Sequence, residues 1–261
     1  MSHHRKLTTK LLLLSLFQKN NIIHVAHNEY FNLKHFTLYP KNIIAVSDRV
    51  KNNLITYFKQ RPSNIIVIKN GIHDKYINSI EMVNINNNEI NILYPARITN
   101  IKNQVNIVCA LKNKLNKNIK INFAGDGPSY SELVNVCKND VNFKPLGFIS
   151  DIFLFYEKTD YVLLFTKKEG LPISLIEAIM MGKPIICNDV GGNLEIVENK
   201  VNGFVCNTFQ ELLQCINNLS NIPEAEYSQL SENARDKYLN EFQVDTMIKQ
   251  YKKYILHFTK F

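Results

Sequence analysis

The chain has 261 residues, of which 45% are hydrophobic and 21% are charged. This apolar content excludes a disordered chain, and the length suffices for one large or two modest α/β domains. The formal net charge of +8 makes an anionic partner plausible. The five cysteines show no C-x-x-C spacing, so we expect neither a disulfide framework nor a zinc site, and a reducing, cytoplasmic environment fits best.

A basic start and the apolar run LLLLSLF at 11–17 open the sequence. The run is at the lower length limit of a secretion signal, and polar residues follow where small residues should mark cleavage, so we expect a buried helix instead. No segment approaches the ~18 to 20 apolar residues that a membrane-spanning helix needs.

The first part of the chain alternates strand and helix patterns. Three apolar runs predict buried strands: IIHVA at 22–26, NIIAV at 42–46 and NIIVI at 64–68. A helix with Ser47 as its N-cap is predicted between the last two, which gives a βαβ pattern. Residues 70–89 begin with Asn-Gly and lose periodicity, which predicts a linker.

A second series of apolar runs follows, with helical patterns between most of them. These runs are INILYPA, INFAG, VNFKPLG, DYVLLFT, PIICND and GFVC. Because they are continuous rather than alternating, they predict a parallel sheet covered on both faces, of the doubly wound Rossmann-like type. Ligands of such sheets lie beyond the carboxyl ends of the strands, where this sequence places polar and glycine-rich residues.

The segment EGLPISLIEAIMMGKPII at 169–186 contains two glutamates around a Gly-Leu-Pro turn. Pro172 suits the first turn of a helix, which leaves Glu169 in the preceding loop and Glu177 in the second turn. Amides at a helix start bind phosphate. A sugar nucleotide would satisfy all these groups, since carboxylates accept bonds from sugar hydroxyls while amides, Arg97 and Lys102 contact the diphosphate.

These residues carry a family resemblance. The motifs ARITNIK, FAGDGPSYSEL, LGFISDI, TDYVLLFTKKEGLPISLIEAIMMGKPIICNDVGGNLEIV and NGFV occur in that order. Together they resemble the donor-binding half of family 4 retaining glycosyltransferases of GT-B fold, and the earlier NIIAVSDRVKNNLI and IIVIKNGI are similar to the end of that family's first domain. The resemblance implies an α/β, GT-B-like fold with a complete C-terminal Rossmann-like domain and a partial N-terminal one.

The resemblance also implies a role for each matching residue. Arg97 and Lys102 match a basic pair on the donor diphosphate, Glu169 faces the donor sugar, and Glu177 contacts the ribose. His27, in HVAHN, matches an acceptor-side histidine. The other donor-side positions are Gly125 and Gly147 at strand ends, Phe148 and Ile149 beside the base, and Gly170, Leu171 and Pro172 in a loop whose amides approach the phosphates.

The activity implied is transfer of a hexose-type sugar from a nucleoside diphosphate sugar to a glycan or lipid-linked saccharide, with retention at the anomeric carbon. No Asp-x-Asp stands where it could hold a divalent cation on the diphosphate, so we expect no metal or other cofactor. The expected partners are a nucleotide sugar and a saccharide acceptor rather than nucleic acid, with peripheral contact to the cytoplasmic membrane face.

The expected domains are 1–85, a partial acceptor-side domain with the linker; 86–243, the donor-binding domain; and 244–261, a helix that crosses back. Compared with the family, roughly a hundred residues of the first domain are missing, about four βα units. An incomplete sheet would expose a strand edge, so we expect a second copy or a partner chain to cover it.

Two rival functions remain. Loss of the front half-domain would also be compatible with a non-catalytic nucleotide-sugar-binding remnant or partner subunit. A nicotinamide-dependent oxidoreductase is disfavoured because GDGPSYS lacks the third glycine of the dinucleotide fingerprint.

Overall fold

The structure is a computed structural model that describes residues 1–15, 22–75 and 89–258. The strands in these ranges are β1 (Ile23–Ala26), β2 (Asn42–Ala45), β3 (Ile65–Val67), β4 (Ile90–Pro95), β5 (Ile119–Ala124), β6 (Phe143–Gly147), β7 (Tyr161–Leu164), β8 (Ile185–Cys187) and β9 (Gly203–Val205). The α-helices are α1 (Arg5–Leu14), α2 (Asp48–Thr56), α3 (Gln104–Leu111), α4 (Tyr130–Cys137), α5 (Phe153–Glu157), α6 (Ile173–Met180), α7 (Asn193–Ile196), α8 (Phe209–Asn218), α9 (Glu224–Glu241) and α10 (Val244–Phe258).

The larger sheet has the strand order β6-β5-β4-β7-β8-β9. All adjacent strands of this sheet pair in parallel. Strands β7 and β8 are buried along their whole length, which is why their sequences show no alternation. The predicted Rossmann-like parallel sheet is confirmed.

The order of this sheet reverses between β4 and β7. From β4 the chain proceeds to β5 and β6 on one side, whereas β7 is followed by β8 and β9 on the other. Such a reversal opens a crevice at the carboxyl ends of the two central strands, because the connections leave in opposite directions.

The smaller sheet has the order β1-β2-β3, also parallel. Helix α2 connects β2 and β3, and the Ser47 hydroxyl accepts a bond from the Val50 amide at 3.1 Å. The predicted βαβ unit and its N-cap are therefore confirmed. Val50 and Leu54 are the apolar residues that α2 buries beside the sheet.

The chain joins the two sheets a second time near its end. The Ile72 amide donates to the Phe242 carbonyl, and the Val244 amide donates to the Ile72 carbonyl, both at 3.0 Å. Helix α10 begins there, and the Gly71 amide lies 3.3 Å from the Met247 sulfur. The predicted boundary near 85 lies outside the described residues, so the three-domain division stays a prediction.

Helix α1 departs from the buried helix predicted for the run at 11–17. Leu13 is 50% exposed and Leu14 is 65% exposed, and the last part of the run lies outside the described residues. The buried residue of α1 is Thr8, whose hydroxyl oxygen lies 2.7 Å from His24 Nδ1. The helix thus contacts the smaller sheet through a polar side chain, and the leucine pattern alone does not determine which face is buried.

The outer edge of β1 is partly occupied by Ser2. The Ser2 amide donates to the Ile23 carbonyl and the Val25 amide donates to the Ser2 carbonyl, both at 2.8 Å. The second copy or partner chain that the sequence predicts for this edge stays a prediction. Among the described helices, none is both long enough and apolar enough to cross a bilayer.

The polar contact between α1 and His24 leads to a testable prediction about how the stability of the fold depends on pH. Burial lowers the pKa of His24 to about 4, with further lowering by His27, His3 and Arg5. The unfolded imidazole titrates near 6.5, so between these values the unfolded chain binds a proton that the folded chain does not. The free energy of unfolding should keep its full value above pH 6.5 and should fall by a few kcal/mol as the pH is lowered toward 4.

Urea titrations at a series of pH values would measure this fall. The matched variant is His24→Gln, which removes the titrating group, so its stability should depend less on pH across the same window. Equal pH dependence in parent and variant would contradict the assignment.

Candidate active site

A cavity of about 350 Å³ lies where residues that follow strands of both sheets meet. We call it the inner cavity. Its lining from the smaller-sheet side is His27, Asn28 and Asn70, and from the larger-sheet side it is Pro95, Ala96, Arg97, Lys102, Glu169, Gly170, Leu171, Pro172, Ile173 and Ser174. The catalytic residues predicted from the sequence are therefore brought together in one place.

An ion pair between Lys102 and Glu169 spans the crevice between β4 and β7. The Glu169 side chain is 8% exposed and the Lys102 side chain is 24% exposed. Burial of a lone carboxylate is costly, and a charged partner offsets that cost. The pair thus holds an anion-binding cation and a hydroxyl-binding carboxylate side by side.

Tyr94 fixes the loop that carries Lys102. This tyrosine is fully buried in β4, and its hydroxyl donates to the Lys102 carbonyl at 2.5 Å while it accepts from the Phe165 amide at 3.2 Å. Burial keeps the pKa of Tyr94 far above its ordinary value, so the proton stays on the hydroxyl. The residue was not among the predicted ones, although a tyrosine inside an apolar strand signals a need for a hydroxyl partner.

A second, outer cavity of about 470 Å³ adjoins the inner one through Pro95, Ala96 and Arg97. It is also lined by Ala124, Gly125, Asp126, Gly127, Phe148, Ile149 and Ile152. Phe148 is 79% exposed, so its ring offers a free face for stacking. The sequence placed Arg97, Gly125, Phe148 and Ile149 at the donor, and the structure gathers all four around this cavity.

The backbone conformation at position 125 requires glycine. It has a φ of +145°, and an added Cβ would lie 2.2 Å from the Ala96 carbonyl oxygen. Its amide donates to the Gly147 carbonyl at 2.8 Å. The strand ends of β4, β5 and β6 thus approach closely, and Gly147 supports the outer cavity from beside it rather than lining it.

Pro172 is the N-cap of α6, one residue before the first helical turn, and this corrects the prediction that the helix begins at it. Its backbone is extended, with φ −73° and ψ 121°. Because proline has no N–H, it offers no amide to a phosphate. The unpaired amides of the helix start instead belong to Ile173 and Ser174, and both residues line the inner cavity.

Glu177 lies in the second turn of α6, as predicted, but is not among the residues lining the two cavities. Its carboxylate accepts a bond from the Tyr156 hydroxyl at 3.2 Å. Burial raises the pKa of Glu177, while the bond from Tyr156 and the charge of Lys75 lower it. Tyr156 was not predicted as a site residue.

His27 follows β1 directly and lines the inner cavity. Its Nε2 lies 2.9 Å from His3 Nδ1, and the ring planes are within 24° of each other with centroids 5.2 Å apart. Burial lowers the pKa of His27, and His3 lowers it further. The imidazole is consequently neutral at pH 7.

The two sheets approach each other closely at Gly170. A Cβ built there would lie 1.7 Å from the His27 carbonyl oxygen. The Asn70 side-chain amide donates to the Leu171 carbonyl at 3.0 Å, and Arg49 forms an ion pair with Asp189 at 3.1 Å. The backbone contact at Gly170 and the Asn70 bond hold the facing sides of the inner cavity together.

Within the described ranges, no group of three or more His, Cys, Asp or Glu side chains is placed to hold a metal ion. The charged groups at the inner cavity are Arg97, Lys102 and Glu169. Their arrangement suits an anionic ligand that also carries hydroxyl groups.

Comparison with known proteins identifies the family. The sequence model described as glycosyl transferases group 1 matches residues 77–237. The chain belongs to this family. The match covers both cavities except for the residues contributed from the smaller sheet. Together with the parallel α/β sheets, it confirms the predicted GT-B-like fold class.

Two relatives and one solved structure illustrate the similarity. An uncharacterized glycosyltransferase of Haemophilus influenzae is 33% identical over 143 residues, which are 52% of this chain and 39% of the relative. The capsular polysaccharide biosynthesis glycosyltransferase CapH of Staphylococcus aureus is 28% identical over 61% of this chain and 46% of its own length. The chain thus matches less than half of either relative.

The solved structure is that of Anabaena Alr3699/HepE in complex with UDP. It superimposes with a TM-score of 0.84 at 20% identity, covering 97% of this chain and 77% of that one. At this identity the likeness shows the shared fold alone.

The close approach at Gly170 predicts the effect of one added methyl group. Gly170→Ala should force the main chain at 27 and 170 apart and lower the free energy of unfolding by about 1–3 kcal/mol. Hydrogen exchange should accelerate at the Gly192 amide, which donates to the Gly170 carbonyl at 2.7 Å. Chemical denaturation and exchange mass spectrometry measure the two effects.

The control is Gly147→Ala, whose methyl would meet only the Tyr130 side chain, at 3.3 Å. It carries the cost of a positive φ but should leave exchange at 192 unchanged. Parental exchange at that amide in Gly170→Ala would contradict the prediction.

Proposed function

We propose that this chain catalyses transfer of a hexose-type sugar from a nucleoside diphosphate sugar to a hydroxyl of a glycan or lipid-linked saccharide, with retention of configuration. The observation that carries the proposal is the Lys102–Glu169 pair in the inner cavity, flanked by Arg97 and the start of α6. Membership of the glycosyl transferases group 1 family supports the reaction class.

The charges favour a diphosphate in the inner cavity. Arg97 and Lys102 supply two cations, and the amides of Ile173 and Ser174 add donors at a helix start. The outer cavity begins at Arg97 and ends at the exposed Phe148. An aromatic ring of this kind suits stacking with a nucleobase, and the Anabaena HepE structure was determined in complex with UDP.

Donor binding must rearrange the ion pair. Lys102 contacts Glu169, so a diphosphate competes with the carboxylate for the ammonium group. The carboxylate that is released can then accept bonds from sugar hydroxyls. Glu169 thus orients the sugar, while the cation moves toward the charge that develops on the leaving group.

The transfer step breaks the bond between the anomeric carbon and the diphosphate oxygen and forms a bond from that carbon to the acceptor oxygen on the same face. The acceptor proton passes to the departing phosphate oxygen, which lies on that face too. Arg97, Lys102 and the amides at the start of α6 stabilise the diphosphate. His27, neutral at pH 7, exchanges hydrogen bonds with sugar hydroxyls without adding charge.

We propose a lipid-linked acceptor presented at an anionic membrane surface. Helix α1 carries Lys6 and Lys10 together with the exposed Leu13 and Leu14, and apolar and basic side chains on one helix favour such surfaces. Sedimentation with phosphatidylglycerol vesicles should carry the protein down, and phosphatidylcholine vesicles should not. Replacing Lys6 and Lys10 by glutamine should reduce the bound fraction, and unchanged binding would contradict this contact.

If the ion pair has these roles, substitutions of its two residues should have different effects on nucleotide binding and similar effects on turnover. UDP-, GDP- and ADP-sugars would first be screened for calorimetric binding and for nucleotide release with glycan acceptors. Lys102→Met should weaken nucleotide binding and lower turnover by ~10² to 10³. Glu169→Gln should lower turnover by a similar factor yet bind the free nucleoside diphosphate at least as tightly, because Lys102 loses its competing partner.

The charge-matched control is Lys167→Met, since Lys167 is exposed and its ammonium contacts Asn100 at 2.8 Å, outside the inner cavity. Near-parental turnover in both Lys102→Met and Glu169→Gln would contradict the assigned roles. Binding without acceptor-dependent release in the parent would identify instead a non-catalytic nucleotide-sugar-binding subunit.

A further inference from the structure

A further cavity, of about 510 Å³, lies at the edge of the larger sheet that β9 forms. We call it the edge cavity. Residues of β9 and α8 line it, together with the short segments beside these elements. The residues that line it differ from those that line the inner and outer cavities. Its chemistry is therefore separate from the proposed transfer reaction.

Two cysteines line the edge cavity. Cys206 directly follows β9, and Cys215 lies in α8. Both are free thiols, and their side chains share a hydrogen bond. Cys206 is buried, whereas Cys215 is half-buried. The fold thus holds two reduced sulfur atoms together at the wall of a cavity that is large enough to admit small molecules.

Secondary structure holds both thiols in place. The Cys206 amide donates to the Cys187 carbonyl at 2.8 Å, which continues the pairing of β9 with β8. In α8, Cys215 stands three residues after Leu212 and directly before Ile216, and both of these are fully buried. Because residues three apart share a helix face, Cys215 packs against the core. The two sulfur atoms therefore meet without the movement of a loop.

The hydrogen bond makes the two thiols unequal. It lowers the pKa of Cys206 and outweighs burial and the charge of Glu211, which raise that pKa. The same bond raises the pKa of Cys215, and burial raises it further. Cys215 is therefore the donor, and Cys206 is the thiol that ionises more readily. Since the thiolate is the nucleophilic form, Cys206 is the sulfur that attacks an oxidant first.

We propose that Cys206 and Cys215 form a reversible redox modification site, which a small hydroperoxide such as hydrogen peroxide converts into a disulfide. The Cys206 sulfur attacks one peroxide oxygen, so that an S–O bond forms, the O–O bond breaks, and the other oxygen leaves as water with the thiol proton. The Cys215 sulfur then attacks the sulfenic sulfur, so that an S–S bond forms, the S–O bond breaks, and a second water leaves with the Cys215 proton. The two thiols lose two electrons, which reduce one peroxide to two waters.

The cysteine pattern agrees with a bond that forms and breaks rather than a permanent one. A reducing environment fits the sequence, and disulfides that form in such an environment are usually transient. The neighbouring Cys187 is fully buried, and burial raises its pKa. A thiol of this kind is inert, which leaves Cys206 and Cys215 as the reactive pair.

Peptide mapping tests the proposal. The reduced full chain is treated with a stoichiometric amount of hydrogen peroxide, and its remaining thiols are then alkylated. A protease that cleaves after glutamate separates the two cysteines at Glu211. Mass spectrometry should find the two peptides joined and two hydrogen atoms lighter, and dithiothreitol should separate them. Oxidation of the exposed Cys109, with Cys206 and Cys215 still alkylated, would overturn the proposal.

Single substitutions test the order of the two steps. Cys215→Ser should stop the reaction at the sulfenic acid of Cys206, which dimedone traps. Cys206→Ser should slow the loss of the Cys215 thiol at least about tenfold, because the more acidic thiol is removed. Loss of the Cys215 thiol at the parental rate in Cys206→Ser would overturn the proposal.

The matched control is Cys109→Ser, which removes an exposed thiol of α3. The disulfide should form in this variant at the parental rate. Thermal unfolding of the reduced variants verifies that each retains the fold, and the mapping of the parent decides the proposal where a variant does not fold. Because the readout is a covalent bond, it stays valid even if the chain transfers no sugar.

Discussion

The ion pair between Lys102 and Glu169 sits in a gap that the order of the strands creates. β4 and β7 are neighbours, yet the chain leaves them toward opposite edges of the sheet, so nothing in the sheet fills the space above their ends. A carboxylate buried in that space requires a cation. The contact that offsets the burial of Glu169 is therefore the one for which the anionic ligand of the proposed function competes, which links the stability of this region to ligand binding.

The parts of the site come from two sheets, and the main chain aligns them. Gly170 meets the carbonyl of His27 with no room for a side chain, and this places the end of β1 against the loop that carries Glu169. The ion pair of Arg49 with Asp189 crosses the same junction, but both side chains are more than 40% exposed, and exposed pairs contribute little. Backbone contact, more than surface charge, sets the geometry.

Much of the fold and of the candidate site could be predicted from the sequence, because it depends on short segments of the chain. Continuous apolar runs gave the buried strands, and in a parallel sheet the residues after those strands must gather at one edge, which brought Arg97, Lys102 and Glu169 together. The conformation of Pro172, the exposure of Leu14 and the partner of Glu177 could not be predicted in this way. Each depends on which element packs nearby, and a single hydroxyl such as that of Tyr156 leaves no periodic signal in the sequence.

At Gly170 and His27 main chain meets main chain, so a side chain added there strains the fold instead of adjusting the inner cavity. Preference among ligands has then to be altered elsewhere, and the solvent-facing ring of Phe148 is a position where replacement disturbs little packing. In the proposed function, the reacting groups and the groups that discriminate between ligands thus occupy regions with different tolerance to mutation. Selectivity in a protein built this way can diverge during evolution while the main-chain contact between the two sheets stays fixed.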